Sequence, residues 1–157
     1  MALCHFFGTR YEKRYYMEKS TDELMKILNS KKSYNEFFEE EVGELCFSSV
    51  ADYLDVLLNE KHLKKSDVIR KSNLDKNYAY QIFNGNKLNP SRNKMLMLAF
   101  GMELSLKETR KLLKVCCLPD LYVRSPRDSI IIFGLNKKMS LIDVNESLSD
   151  FSFEILE

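Results

Sequence analysis

The spacing of apolar residues along most of the chain is typical of short amphipathic α-helices. Between residues 48 and 62, apolar side chains recur at intervals of three and four residues, which places them on one buried stripe of a helix. These side chains are Val50, Tyr53, Leu54, Leu57 and Leu58. Similar stripes continue towards the C-terminal part of the chain and no strand-rich region is visible, so the pattern predicts an all-α protein.

Helix start signals divide this pattern into successive elements. A Ser or Asp side chain just before a helix accepts a hydrogen bond from a backbone N–H of the first turn and so favours a start there. The predicted starts are Ser20 (with Glu23 as capping-box partner), Ser48 or Ser49, Lys65 or Ser66, Asp75, Ser91, Ser105, Ser125 (before Pro126) and Ser140. Asn73 is expected to adopt the left-handed conformation that a tight turn between two helices requires.

The helices group into three segments. Residues 1–47 are predicted to be a short N-terminal helical extension, in which residues 36–44 form an acidic helix or loop. Residues 1–16 are either a disordered arm or the product of a misassigned start. Residues 48–118 are predicted to form a five-helix domain, and residues 119–157 a C-terminal helical hairpin and tail.

Two alternatives remain open for the C-terminal hairpin. Phe133-Gly134 before Ser140 repeats Phe100-Gly101 before Ser105, either as a duplicated hairpin or as two helices that share the same cap chemistry. The helix containing residues 130–135 is apolar nearly all round, which suits either a self-association surface or a satellite core packed on the Ser105 helix.

Composition supports the helical prediction. The 157 residues include only 5 Gly and 3 Pro, which is few for a multi-turn β-sandwich or barrel, and 30% of the residues are charged. The apolar content of 45% is ordinary for a chain that folds around a core. No apolar run approaches the roughly 20 residues that span a bilayer, so we expect no membrane association.

Catalytic and metal chemistry find little support in the sequence. The 4 Cys and 2 His lack the spacing of a zinc site. Adjacent Cys116 and Cys117 are predicted to be buried small hydrophobic residues rather than a strained disulfide. No glycine-rich phosphate loop, Cys–His pair or recognisable carboxylate pair is present. We therefore expect no enzyme activity, no cofactor and no metal, and a cytoplasmic location follows from free thiols without a signal peptide.

The net charge of +1 hides an uneven distribution. Residues 1–47 carry a net charge of −2, residues 48–118 of +6 and residues 119–157 of −3. Nine cations lie between residues 61 and 94, opposed in that stretch only by Asp67 and Asp75. They are Lys61, Lys64, Lys65, Arg70, Lys71, Lys76, Lys87, Arg92 and Lys94. Such a cluster suits a polyanionic partner, although a solvated helical surface is the plainer alternative.

Residues 65–85 resemble the helix-turn-helix of the lambda-repressor/Cro (XRE-type) family. The resemblance is carried by the Asn84-Gly85 ending and by the positions at which that family buries its core, here Val68, Leu74, Ala79, Ile82 and Phe83. Two positions depart from the family pattern. Ile69 stands where a small residue is usual, and Asn73 where Gly is usual.

The resemblance implies a five-helix, lambda-repressor-like domain over residues 48–116 and a sequence-specific regulator of transcription that binds double-stranded DNA. The helix Asp75–Phe83 is then expected to enter the major groove. The side chains left free to contact bases are Lys76, Asn77, Tyr80 and Gln81. Those expected to bind phosphates are Lys65, Ser66, Asn84, Lys87, Arg92 and Lys94. Tyr78 is either a packing residue or a further contact.

Such repressors bind palindromic sites as dimers, so a homodimer associated with the nucleoid is expected. The alternative is a helical adaptor or antitoxin-like protein whose helix-turn-helix and helical tails mainly bind another protein, a contact that the acidic charge of the tails favours. Those tails also raise the hypothesis of autoinhibition, in which they cover the basic face of the central segment.

Overall fold

A computed structural model describes residues 19–45 and 49–157. Within these two ranges every regular element is an α-helix, and no strand occurs. The helices are α1 (Thr21–Ser30), α2 (Tyr34–Leu45), α3 (Val50–Glu60), α4 (Lys65–Lys71), α5 (Lys76–Phe83), α6 (Arg92–Gly101), α7 (Leu106–Val115), α8 (Pro126–Lys137) and α9 (Leu141–Asp150). The prediction of an all-α protein is confirmed.

The chain divides into two compact units, with the boundary between residues 47 and 48. In the first unit, Ser20 and Glu23 form the predicted capping box at the start of α1. The acidic stretch at residues 36–44 lies in α2, which buries Phe37 and also Glu41, whose carboxylate accepts a hydrogen bond from Lys19 Nζ at 2.7 Å. The alternatives for residues 1–16 fall outside the part of the chain that the structure describes.

The predicted caps of the second unit are present where the chain supplies a side-chain acceptor. In each case the side chain accepts the backbone N–H three residues further on, and the caps are Ser49, Asp75, Ser91, Ser105, Ser125 and Ser140. The start of α4 differs, because Lys64 occupies the cap position without a side-chain hydrogen bond. The path of the chain into α4 is set instead at the end of α3, where the N–H of Leu63 donates to the carbonyl of Leu58 at 2.8 Å.

Five helices of the second unit end in the same way, with a non-glycine residue at positive φ. An apolar residue follows and donates its N–H to the carbonyl five residues earlier, which satisfies one of the free carbonyls of the last turn. The positive-φ residues are His62, Glu103, Cys117, Lys138 and Ser152, with φ between 53° and 59°. Asn73 has a φ of 51°, which confirms the predicted turn between α4 and α5.

Because these positions strain an L-residue, we expect Lys138→Gly to stabilise the protein by about 1 kcal/mol. The side chain of Lys138 is exposed and its backbone φ is 55°, so glycine removes strain without loss of buried contacts. Urea unfolding measures the change. Lys137→Gly, one residue earlier at the last position of α8, is the matched control and should not stabilise, because Lys137 has no positive φ to relieve and glycine is a weaker helix former than lysine. Equal effects at both positions would contradict the prediction.

One hydrophobic core holds α3 to α9 together. Helix α6 is its centre, with every residue from Met95 to Gly101 buried, and it packs on α4, α7 and α9. Helix α8 packs on α7 and α9 and buries Ile131 and Leu135, although Phe133 remains exposed. This packing favours the satellite-core alternative for residues 130–135, and the predicted homodimer stays a prediction.

The glycines of the two Phe-Gly pairs lie at contacts between different pairs of helices. A Cβ on Gly101 would meet the backbone of α4, whereas a Cβ on Gly134 would meet the side chain of Val144 on α9. Both connections then use a positive-φ residue, an apolar residue and a Ser-capped helix. Because the glycines contact different partners, shared cap chemistry explains the repeat better than duplication of a hairpin.

The cysteine prediction is half wrong. Cys116 and Cys117 are both free thiols, as expected, and Cys116 is half-buried, but Cys117 is exposed. The physical reason is the end of α7, where Cys117 takes the left-handed position with a φ of 53° and its side chain turns towards solvent.

Candidate nucleic-acid interface

Helices α4 and α5 are joined by a short, well-bonded connection at residues 72–75. Ser72 is fully buried and its hydroxyl donates to the carbonyl of Ile69 at 2.9 Å. The carboxylate of Asp75 accepts the N–H of Tyr78 at 2.9 Å and so caps α5. Because α4 packs on α6 and α5 packs on α3, both helices are held by the core while one face of α5 remains in solvent.

The exposed face of α5 carries three of the four predicted base-contacting residues. Lys76, Asn77 and Gln81 are exposed, and their side chains make no hydrogen bond or ion pair within the described residues. Tyr80 is only partly exposed and packs against the core. The helical period explains this division, since Ala79, Ile82 and Phe83 occupy the opposite, buried face.

Tyr78 brings two of the predicted phosphate-binding lysines together. The Nζ atoms of Lys87 and Lys94 lie 5.5 Å and 5.9 Å from the centre of the Tyr78 ring. Both distances suit a cation–π contact, so the half-buried ring positions two ammonium groups beside α5. This packing role of Tyr78 depends on the α5–α6 connection, and helical spacing alone does not reveal it.

The remaining residues predicted to bind phosphate differ in how free their side chains are. Ser66 and Asn84 are exposed, at the first turn of α4 and the end of α5 respectively. Lys65 forms an ion pair with Asp55 at 3.2 Å and lies 5.3 Å from the centre of the Phe83 ring. A phosphate at Lys65 would therefore have to compete with a carboxylate.

Arg92 is engaged inside the protein. Its Nη1 and Nη2 donate to the two carboxylate oxygens of Asp128 at 3.0 Å and 2.8 Å. Its Nε and Nη2 also donate to the carbonyls of Pro119 and Asp120, at 2.9 Å and 3.0 Å. The side chain is only 21% exposed. These bonds use the guanidinium that a phosphate would need, and we leave Arg92 out of the candidate interface.

Ion pairs sort the nine cations of residues 61–94 into two groups. Five have a carboxylate partner, in the pairs Lys61–Glu108, Lys65–Asp55, Arg70–Asp67, Lys71–Glu103 and Arg92–Asp128. The other four, Lys64, Lys76, Lys87 and Lys94, have none in the described part of the chain. Three of these four lie on or against α5. We call Lys76, Lys87 and Lys94, together with Asn77 and Gln81, the α5 surface.

The acidic tail does not form ion pairs with the α5 surface. Asp120 binds Arg110, with the shortest contact at 2.7 Å, and Asp128 binds Arg92. Both arginines belong to the central segment, so the tail neutralises cations there, but these are not Lys76, Lys87 or Lys94. This pairing gives no support to the hypothesis that the C-terminal tail covers the basic face.

Other kinds of site find little support in the geometry. Among residues 19–45 and 49–157, no group of three His, Cys, Asp or Glu side chains is arranged to hold a metal ion. Burial, assisted by the neighbouring Cys117, raises the pKa of Cys116 to about 12, which makes this thiol a poor nucleophile at neutral pH. No helix in the same ranges has the length and apolarity to span a membrane. The expectation that the protein is not an enzyme stays a prediction.

Comparison of the chain with protein-family models, with characterised proteins and with solved structures finds no match. The resemblance to the lambda-repressor/Cro family therefore rests on the residues of this chain alone.

Proposed function

We propose that the protein is a sequence-specific, double-stranded DNA-binding regulator of transcription. In this proposal α4 and α5 act as an XRE-type helix-turn-helix, and α5 enters the major groove. The observation that carries the proposal is the α5 surface, where three exposed polar side chains without partners in the described part of the chain adjoin two lysines held by Tyr78.

The chemistry of the α5 surface suits base recognition. Asn77 and Gln81 are four residues apart and so project from the same side of the helix. Each carries an amide that can donate to and accept from the N7 and N6 edge of adenine, and the Lys76 ammonium can donate to guanine O6 and N7.

The lysines beside Tyr78 suit the phosphate backbone. Lys87 and Lys94 approach α5 from the connection and from the first turn of α6, and neither has a carboxylate partner among residues 19–45 and 49–157. Phosphate contacts at this place would fix the depth and register of α5 in the groove. A homodimer is part of the proposal, because a single α5 contacts only a few base pairs.

Selection of bound sequences from a random duplex pool tests the proposal. We expect a half-site to be enriched, and we expect Asn77→Ala and Gln81→Ala each to weaken binding to it about 5- to 30-fold, equivalent to roughly 1–2 kcal/mol per lost base contact. Lys87→Ala should weaken all sequences alike and reduce the slope of log K against log salt by about 0.9.

The chain offers matched controls for these variants. Asn136 on α8 is an exposed helical asparagine, as Asn77 is on α5. Lys107 in the first turn of α7 is an exposed lysine that, like Lys87, has no ion pair in the described part of the chain. Asn136→Ala and Lys107→Ala should leave binding unchanged. Absence of any enriched sequence, together with negligible duplex binding at moderate salt, would contradict DNA regulation.

An adaptor or antitoxin-like protein is the second candidate. It is favoured by large apolar side chains exposed in the C-terminal part of the second unit, namely Tyr122, Val123, Phe133, Ile142 and Phe151. Exposed side chains of this kind suit contact with another protein. Failure of the selection experiment, combined with purification of the full chain in a stoichiometric complex, would favour this function.

A further inference from the structure

The connection between α7 and α8 ends in a tight turn. Leu121 is buried, and the N–H of Ser125 donates to the carbonyl of Tyr122 at 2.9 Å. This bond closes a β-turn with Val123 and Arg124 at its tip. Residues 122–124 therefore protrude from a segment that is anchored at both ends.

Several hydrogen bonds from other elements anchor this turn. Arg110 makes three hydrogen bonds of 2.7–3.0 Å to the carboxylate of Asp120. Arg92 donates to the carbonyls of Pro119 and Asp120. The N–H of Tyr122 donates to Asp128 Oδ2 at 3.0 Å. A loop held in this way loses little conformational entropy when a partner binds to it.

The side chains that this rigid turn presents are those of a contact surface. Tyr122 is 60% exposed and Val123 is 66% exposed. Arg124 is exposed and makes no ion pair or hydrogen bond to the described residues. No acidic residue lies between positions 121 and 127. Arginine and tyrosine side chains both donate hydrogen bonds to phosphate oxygens.

The anchors also show where the turn lies. Asp128 Oδ2 accepts hydrogen bonds from both the Tyr122 N–H, at 3.0 Å, and Arg92 Nη2, at 2.8 Å. The turn therefore adjoins the first turn of α6, which begins at Arg92 and carries Lys94 of the α5 surface. A polyanion on the α5 surface that extends past Lys94 to the start of α6 would reach this turn.

We infer that the turn at residues 122–124 is a second DNA-contacting element, in which Arg124 and the Tyr122 hydroxyl bind backbone phosphates beside the site bound by α5. The inference rests on the proposed DNA-binding function and adds a contact from outside the five-helix domain. Arg124 is the positively charged group at the tip, and its charge favours a phosphate backbone over an uncharged protein surface.

The test compares wild type with Arg124→Ala and Tyr122→Phe on the duplex enriched by selection. We expect Arg124→Ala to weaken binding about 3- to 10-fold at moderate salt and to reduce the salt slope by about 0.9, as loss of one phosphate contact requires. Tyr122→Phe should weaken binding less and leave the slope unchanged. Hydroxyl-radical footprints should lose protection at one edge of each half-site. Lys137→Ala, an exposed cation on α8, is the control and should change none of these values.

A second duplex separates this contact from the rest of the interface. On a duplex trimmed to the bases that α5 contacts, wild type and Arg124→Ala should bind equally, because the flanking phosphates are gone. If wild type binds DNA but Arg124→Ala keeps its affinity, salt slope and footprint, the turn is not a DNA contact. The inference would also be overturned if Arg124→Ala lost self-association in sedimentation while the slope of log K against log salt stayed the same. If wild type binds no duplex at all, the proposed function fails first.

Discussion

Replacement of Asp128 by alanine is expected to lower the free energy of unfolding by about 3 kcal/mol, because it leaves a largely buried guanidinium without its carboxylate. Asp128 is buried and accepts two hydrogen bonds from Arg92 and one from the N–H of Tyr122. In this variant Arg92 keeps its hydrogen bonds to the carbonyls of Pro119 and Asp120. The expected loss of stability therefore lies at the lower end of the range for a broken buried ion pair.

Urea unfolding of Asp128→Ala, Arg92→Ala and the double variant measures both the loss and the coupling between the two side chains. Arg110→Ala is the control, since the Arg110–Asp120 pair has similar geometry but greater exposure and should contribute less than about 1 kcal/mol. A loss for Asp128→Ala no greater than for Arg110→Ala would show that burial of the Arg92–Asp128 pair adds nothing.

The same carboxylate should contribute to acid unfolding. Burial on its own would raise the pKa of Asp128, but the hydrogen bonds from Arg92 and the Tyr122 N–H, with the charges of Arg92 and Arg127, outweigh it and lower the pKa. The unfolded chain therefore takes up this proton at a higher pH than the folded one. The stabilisation is complete above the ordinary carboxyl pKa of about 4 and is lost as the pH falls through the folded value. Asp128→Asn should show a smaller loss of stability over that range.

Replacement of Gly101 by alanine is expected to cost about 3 kcal/mol of stability, at the upper end for overpacking. An added Cβ would lie 2.7 Å from the carbonyl oxygen of Val68, 2.9 Å from the backbone nitrogen of Ser72 and 2.8 Å from the Ser72 Cβ. These are atoms on or next to the backbone of α4, so no side-chain rotation relieves the clash. Helix α4 has to shift, and the connection to α5 has to shift with it.

Gly101→Ala should therefore reduce both stability, measured by thermal or urea unfolding, and affinity for the selected duplex. Gly134→Ala is the matched control, because its Cβ would meet a side-chain methyl of Val144 instead. The double variant Gly134→Ala/Val144→Ala should recover part of the overpacking cost, apart from the loss of the Val144 methyls themselves. If the free energy of unfolding of Gly101→Ala lay within about 0.5 kcal/mol of the wild-type value, α4 would be able to move and admit the methyl group at little cost, contrary to this prediction.

Features that depend on neighbouring residues could be predicted from the sequence. The capping box of Ser105 and Glu108 is formed within four residues, and the left-handed turn at Asn73 needs only the break in apolar spacing around it. The exposed face of α5 follows from its helical period. The same local reasoning fails at Lys64, where the end of α3 determines the helix start, and at Cys117, where the backbone conformation outweighs the burial preference of cysteine.

Features that depend on distant residues could not be predicted. A count of charges along residues 61–94 gives nine cations, but it cannot show that Arg92 is paired with Asp128, 36 residues away. Nor can it show that Tyr78 gathers Lys87 and Lys94, since the α5–α6 connection has to fold before the three side chains meet. The charge of the candidate interface is thus set by tertiary pairing and is smaller than the sequence count suggests.

The shared core of α3 to α9 has a consequence for synthesis. Helix α6 is covered partly by α9, and Leu156 is buried and bonded through its backbone to the side chain of Asn145. The helix proposed to enter DNA is translated well before these residues. When α5 has emerged from the ribosome but α9 has not, we expect the nascent chain to be loosely packed. The helix-turn-helix should therefore reach its final packing only after α9 has also emerged.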